Sequence, residues 1–222
     1  MVDRVRALRQ PQTRVLETNK VLRNTYALLA MTLLFSAFTA GLSMALNLPH
    51  PGIIITLVGY FGLLFLTQKF SNSAWGLLFV FLLTGFMGMT LGPILTMYLK
   101  FIPNGHQIVM TALGGTGLTF LGMSAYALIS RKDFSFLGGF LFAGILVAFL
   151  AGLAAIFFHL PALSLAVSAM FVVLMAALIL FETSQIIHGG ETNYILATVT
   201  LYVAIYNLFT SLLHLLGFMG EE

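Results

Sequence analysis

The sequence predicts an all-α membrane protein, a bundle of seven transmembrane helices with the last helix central. Three observations lead there. Apolar residues make up 59% of the 222-residue chain and charged residues only 8%, a balance that would leave large apolar patches on a soluble domain. Seven runs approach the ~20 apolar residues needed to cross the hydrocarbon core. Each run is closed by a short connection rich in turn-forming or charged residues.

The first run, residues 25–46, follows a segment holding six of the ten Lys and Arg residues: Arg4, Arg6, Arg9, Arg14, Lys20 and Arg23. It is too long for the apolar region of a signal peptide, and no A-x-A-like cleavage site precedes Asn47, so it reads as a retained helix. Residues 1–24 are taken as a cytoplasmic basic tail and residues 25–222 as the transmembrane domain. Pro11 and the mixed charges of the tail fit a weakly structured free segment, with a membrane-surface helix from Val15 onward as the alternative.

Leu48-Pro49-His50-Pro51-Gly52 leads into the second run, 52–67, which ends before Lys69-Phe70-Ser71-Asn72-Ser73. The third, 75–98, carries Gly85, Gly88 and Gly92, with one Gly-x-x-x-Gly spacing that suits close helix approach, inside the bundle or between two copies. Gly92-Pro93 is expected to kink it, because proline removes a backbone donor. After Pro103-Asn104-Gly105 comes the fourth run, 108–129, lined by Gly114, Gly115, Gly117 and Gly122. Arg131-Lys132-Asp133 separates it from the fifth, 136–158. His159-Leu160-Pro161 precedes the sixth, 162–181, and His188-Gly189-Gly190-Glu191 precedes the seventh, 195–218.

Positive charge near short loops stays on the cytoplasmic side. With the tail inside, Lys69 and the Arg131-Lys132 pair are inside too, only Lys100 lies opposite, and the carboxyl terminus is periplasmic. The net charge of +3 is therefore a property of the tail. It supplies no basic groove for nucleic acid. Absence of cysteine removes disulfides, thiolate metal sites and cysteine nucleophiles. No G-x-S-x-G, paired intramembrane aspartates or phosphate-binding glycine loop occurs, so the chain is not expected to be an enzyme, and it implies no cofactor or metal.

Ionisable groups at membrane depth are costly and therefore informative. Glu182 directly follows the sixth run, with Ser184, His188 and Glu191 behind it. Twenty residues rise about 30 Å, which puts Glu182 near the cytoplasmic interface. It is either a carboxylate wetted at a helix end or a partly buried group whose charged form is penalised by desolvation, with His188 in reach as a partner. Asn207, flanked by Tyr202, Tyr206, Thr200, Thr210 and Ser211, makes the last span the most polar, which argues for placing it inside, surrounded by the other six. Interhelical glue is the commoner role for such an Asn and ligand binding the sharper one. His50, His106, His159 and His214 match no zinc spacing and read as solvated interfacial residues.

Several segments together resemble the Bax inhibitor family of membrane proteins: residues 20–26 (Lys20-Val21-Leu22-Arg23-Asn24-Thr25-Tyr26), 91–95, 135–139, 181–194 and 201–209, nearly the whole length of the chain. The run from Phe181 through Glu182, His188 and Glu191 to Tyr194 is the most specific of them. The resemblance implies a seven-helix fold with a central last helix. For a bacterial member it implies an inner-membrane regulator that binds the membrane-anchored AAA protease FtsH, with that protease's associated membrane regulators as further partners, and slows degradation of other membrane proteins. The alternative it implies is a pH-sensitive calcium or proton leak. In calcium-leak members two aspartates, on the sixth and seventh helices, share a proton. Glu182 falls at the first position and Ala204 at the second, so this chain keeps one carboxylate and lacks its partner, while Asn207 matches the Asn that follows.

Overall fold

A computed structural model describes residues 2–220, with side chains described from residue 18 onward. Its described residues form seven helices and no strand: α1 (Val2–Ala45), α2 (Ile53–Phe70), α3 (Ala74–Phe101), α4 (Gly105–Ser130), α5 (Leu137–Phe157), α6 (Pro161–His188) and α7 (Tyr194–Met219). All seven contain a stretch long and apolar enough to cross a bilayer, that of α1 running over Thr18–Ala45. Helix α1 continues back to Val2, so the basic segment is helical rather than weakly structured.

Two of the sequence boundaries move for identifiable reasons. The sixth span does not stop at Phe181 but continues to His188, because its last two turns are lodged among neighbouring helices, with Glu182, Thr183, Ser184 and Ile186 buried. It stops where Gly189 takes a left-handed φ of 75°, and the Gly190 N–H closes back on the Gln185 carbonyl at 2.8 Å. Pro161 opens the same helix at its first turn, where its missing N–H costs nothing.

The most extensive pairing is α1 on α3, and glycine makes it close. A β-carbon on Gly88 would collide with the Ser36 carbonyl oxygen and the Thr39 hydroxyl of α1, and one on Gly92 would meet Ser43. This is the third-span Gly-x-x-x-Gly, used inside the bundle. Pro93 leaves helix α3 unbroken. The carbonyl deprived of its donor four residues earlier, that of Met89, accepts the Ser43 hydroxyl of α1 at 2.9 Å. The fourth-span glycines behave differently. Gly114, Gly117 and Gly122 face open space, and only Gly115 meets another helix, at Leu212.

Helix α7 is the most buried, with 61% of its apolar stretch inside against 6% for α2. Its extensive contacts are with α1, α3, α4 and α6, whereas α2 rests on α3 and α5 on α6. The expected ring of six direct neighbours is therefore four. One end of the bundle gathers the start of the α1 span and the α2–α3, α4–α5 and α6–α7 connections, and it carries Lys69, Arg131 and Lys132. At the other end Lys100 donates to the Asn47 side chain at 3.1 Å.

Asn193 ties the basic end together. Its carbonyl oxygen caps α7 by accepting from the Ile195 and Leu196 amides at 2.9 and 3.3 Å, and its amide donates to the Ser71 carbonyl and the Asn72 side chain. Asn193→Ala should cost about 2 kcal/mol, since it removes a helix cap and an interloop tie together. Thermal unfolding in detergent micelles reads this as a lower midpoint, and an unchanged midpoint would show the tie to be dispensable.

Candidate functional site

The residues that sequence reasoning singled out divide between two places. Six residues separate Glu182 from the end of α6, about 9 Å of rise, whereas Asn207 lies thirteen residues into α7, about 20 Å from the same end. They are not one constellation.

Glu182 is 6% exposed, which decides between its two sequence readings in favour of the buried one. Its Oε1 is enclosed and has no hydrogen-bond partner among the described residues, a condition shared by the hydroxyls of Thr25 and Ser124. The Glu191 carboxylate, of like sign, acts on it electrostatically. Ile186, one turn further along α6, forms part of the wall of a cavity of about 440 Å³ that opens between the start of the α1 span and the α6–α7 connection. Lys20 and Asn24 of α1 face Glu191 and Tyr194 across it. Glu191 is oriented by the Asn193 amide, which donates to its Oε1 at 2.6 Å. The adjoining Thr183 hydroxyl meets the Tyr26 hydroxyl at 3.3 Å, joining α6 to α1.

His188 turns toward the α4–α5 connection. Its Nδ1 lies 2.9 Å from the Ser184 carbonyl and its Nε2 lies 3.1 Å from the Arg131 carbonyl. Carbonyl oxygens only accept, so a ring nitrogen that carries hydrogen donates in its contact. Ser184 supplies the second tie: its hydroxyl donates to the Lys132 carbonyl and accepts from the Phe134 amide, each at 3.1 Å. The expected pairing of His188 with Glu182 is not among these bonds. Exposed Asp133 accepts from the Ser135 amide at 2.8 Å, and chiefly that bond holds its carboxyl below the usual range, with the Ser135 hydroxyl and His188 adding to it.

Asn207 donates to the Val203 carbonyl of its own helix at 2.8 Å, so it is not the interhelical glue the sequence suggested. Tyrosine takes that part. The Tyr202 hydroxyl donates to the Thr84 carbonyl of α3 at 3.3 Å and meets the Ser36 hydroxyl of α1 at 2.7 Å, and Tyr206 reaches Thr90 at 3.4 Å. A three- to four-residue spacing of hydroxyl-bearing residues along one helix was the available signal. His50, His106 and His159 are exposed as expected. His214 is half-buried instead, with Nδ1 2.8 Å from the Ser168 hydroxyl of α6. Among the described residues no three His, Asp or Glu side chains gather as metal ligands.

A family model described as "Inhibitor of apoptosis-promoting Bax1" matches residues 18–221. The chain belongs to the Bax inhibitor family. Relatives extend the likeness end to end. The chain is 54% identical to the "Modulator of FtsH protease YccA" of Escherichia coli K12 over 221 residues, all of both chains. It is 55% identical over 206 residues to an uncharacterized protein of Pseudomonas aeruginosa, covering 93% of this chain and 92% of that one. It is 36% identical over 217 residues to one of Neisseria meningitidis, covering 92% and 93%. The segment that resembles the Bax inhibitor family most specifically, residues 181–194, is the one that carries Glu182, forms the wall of the cavity, ties down the α4–α5 connection and caps α7.

Proposed function

We propose that this protein is a non-enzymatic regulator in the bacterial inner membrane that binds the FtsH protease and slows its degradation of other membrane proteins. The observation that carries this reading is full-length identity of 54% to a relative named as a modulator of that protease; another Escherichia coli relative of equal identity is named an inner membrane protein. In this reading the basic end faces the cytoplasm and the carboxyl terminus the periplasm, as the distribution of Lys and Arg favours. The segment ahead of Thr18 is the handle the protease engages, while the closely packed α1–α3 pair resists extraction. Whether associated regulators of the protease join the contact is a further part of the same proposal.

The test is the half-life of an FtsH membrane substrate in cells that lack, contain or overproduce the protein, with a version lacking residues 1–17 in parallel. A longer substrate half-life on overproduction, lost with the deletion, is the expected outcome. An unchanged half-life at every level would overturn the proposal.

A second reading, a calcium or proton leak, is favoured by the partnerless Oε1 of Glu182, one helical turn from a residue that lines the cavity at the basic end. In that reading Glu182 and His188 flank the path, and Asn207, on another cavity, has no part in its mouth. Ala204, fully buried on α7, leaves Glu182 without the second carboxyl that would share a proton. Flux into proteoliposomes, compared between the parent and Glu182→Gln, separates the two readings, and flux equal to that of empty vesicles removes the leak.

A further inference from the structure

Helices α2 and α5 stand apart from α7, and the space between them is a cavity of about 480 Å³ at mid-bundle. Its inner wall is Tyr206 and Asn207, and Asn207 lies midway between Tyr194 and Met219. Its outer side lies between α2 and α5. There Phe61 of α2 and Phe149 of α5 meet edge to face, with ring centroids 5.7 Å apart. Aromatic and aliphatic side chains form most of the lining, and no charged residue contributes to it.

Polar groups converge on this apolar space. The Tyr60 hydroxyl has no hydrogen-bond partner among the described residues. Asn207 commits one amide hydrogen to the Val203 carbonyl and keeps the second, together with its own carbonyl oxygen. Thr90 donates its hydroxyl hydrogen to the Met87 carbonyl, so the Tyr206 hydroxyl spends its hydrogen on Thr90 and presents lone pairs. Two donors, Tyr60 O–H and Asn207 N–H, thus stand unmet at the depth where an unmet donor is most costly. A concave apolar site with a few convergent polar groups is the form small-molecule sites take.

We propose that this cavity binds an uncharged ring lipid bearing carbonyl acceptors, the class represented in membranes by isoprenoid quinones. Absence of charged lining residues excludes an anionic or cationic head. Phospholipid heads stay at the interface, about 15 Å from the bilayer centre where Asn207 lies, so a phospholipid would present only an acyl chain and leave both donors unmet. A quinone places two carbonyls against Tyr60 and Asn207, its flat ring among the phenylalanines, and its chain out between α2 and α5.

The test uses the full chain in phosphatidylcholine nanodiscs with a photoreactive azidoquinone, competed by a decyl-substituted benzoquinone or by decylbenzene, which has a flat six-membered ring and the same chain without the carbonyls. Saturable labelling mapped to α2 and α5 peptides, competed by the quinone and not by decylbenzene, is expected. Tyr60→Phe, which keeps the ring and removes only the hydroxyl, should raise the half-saturating concentration about tenfold, and Asn207→Leu should do the same. Equal competition by decylbenzene, labelling that does not saturate, or unchanged affinity in Tyr60→Phe would overturn the proposal and leave the cavity as a slot for acyl chains.

Discussion

Gly88→Val should destabilise the protein by about 3 kcal/mol, because α1 leaves no room for a side chain there. The cause is local and steric. A β-carbon at Gly88 is driven into the Ser36 carbonyl oxygen and the Thr39 hydroxyl. The hydroxyl can rotate, but the carbonyl belongs to the backbone of α1, so the helices must separate. Separation loosens the most extensive helix pair of the fold and strains the neighbouring contacts at Gly85 and Gly92. In lipid, packing of this kind is a main source of helix association, with no hydrophobic term to compensate. Reversible unfolding in mixed micelles measures the loss. Gly122→Ala is the control: a β-carbon there meets nothing within 4 Å, and alanine favours the helix, so stability should stay level or rise. Equal behaviour of the two variants would mean that α1 and α3 do not depend on close approach.

Glu182→Met should raise stability by about 2 kcal/mol, because it replaces a buried partnerless oxygen with an apolar chain of similar length. For a chain of this size that is an increase of roughly 4–8 °C in unfolding midpoint. Glu182→Gln, which keeps a polar group in the same enclosure, should gain less. A stabilising change at this position would mark Glu182 as a residue retained against the interests of packing. The substrate half-life and flux assays then say which activity retains it. A lower midpoint for Glu182→Met would instead mean that the carboxyl finds a partner that outweighs its burial.

Hydropathy made the seven-helix fold readable, since the cost of exposing backbone in lipid leaves helices as the form for seven apolar runs. Polar side chains inside spans were harder to interpret. The sequence ended the sixth helix at Phe181 because the residues after it are hydrophilic, yet Thr183 and Ser184 are satisfied by α1 and by the α4–α5 connection, which no local pattern reveals. The glycines of α3 and α4 both read as packing residues in the sequence and take opposite roles, because what a glycine faces depends on how its helix is rotated in the bundle. Asn207 drew attention as glue, while the bonds between helices belong to Tyr202 and Tyr206. The cavity beside Asn207 results from α2 packing on α3 and α5 on α6 rather than on α7, a tertiary feature without a sequence signature.

The Ser43 bond to the Met89 carbonyl beside Pro93 bears on how the chain is made. Without α1, helix α3 would enter the bilayer with a bare carbonyl near its middle, a defect worth several kcal/mol in hydrocarbon. The donor that cures it is synthesised some fifty residues earlier and is already in the membrane when α3 leaves the ribosome. A proline in the third span is thus compatible with vectorial insertion, whereas the mirror arrangement, with the proline in the first span and its donor in the third, would expose the defect for the interval between them.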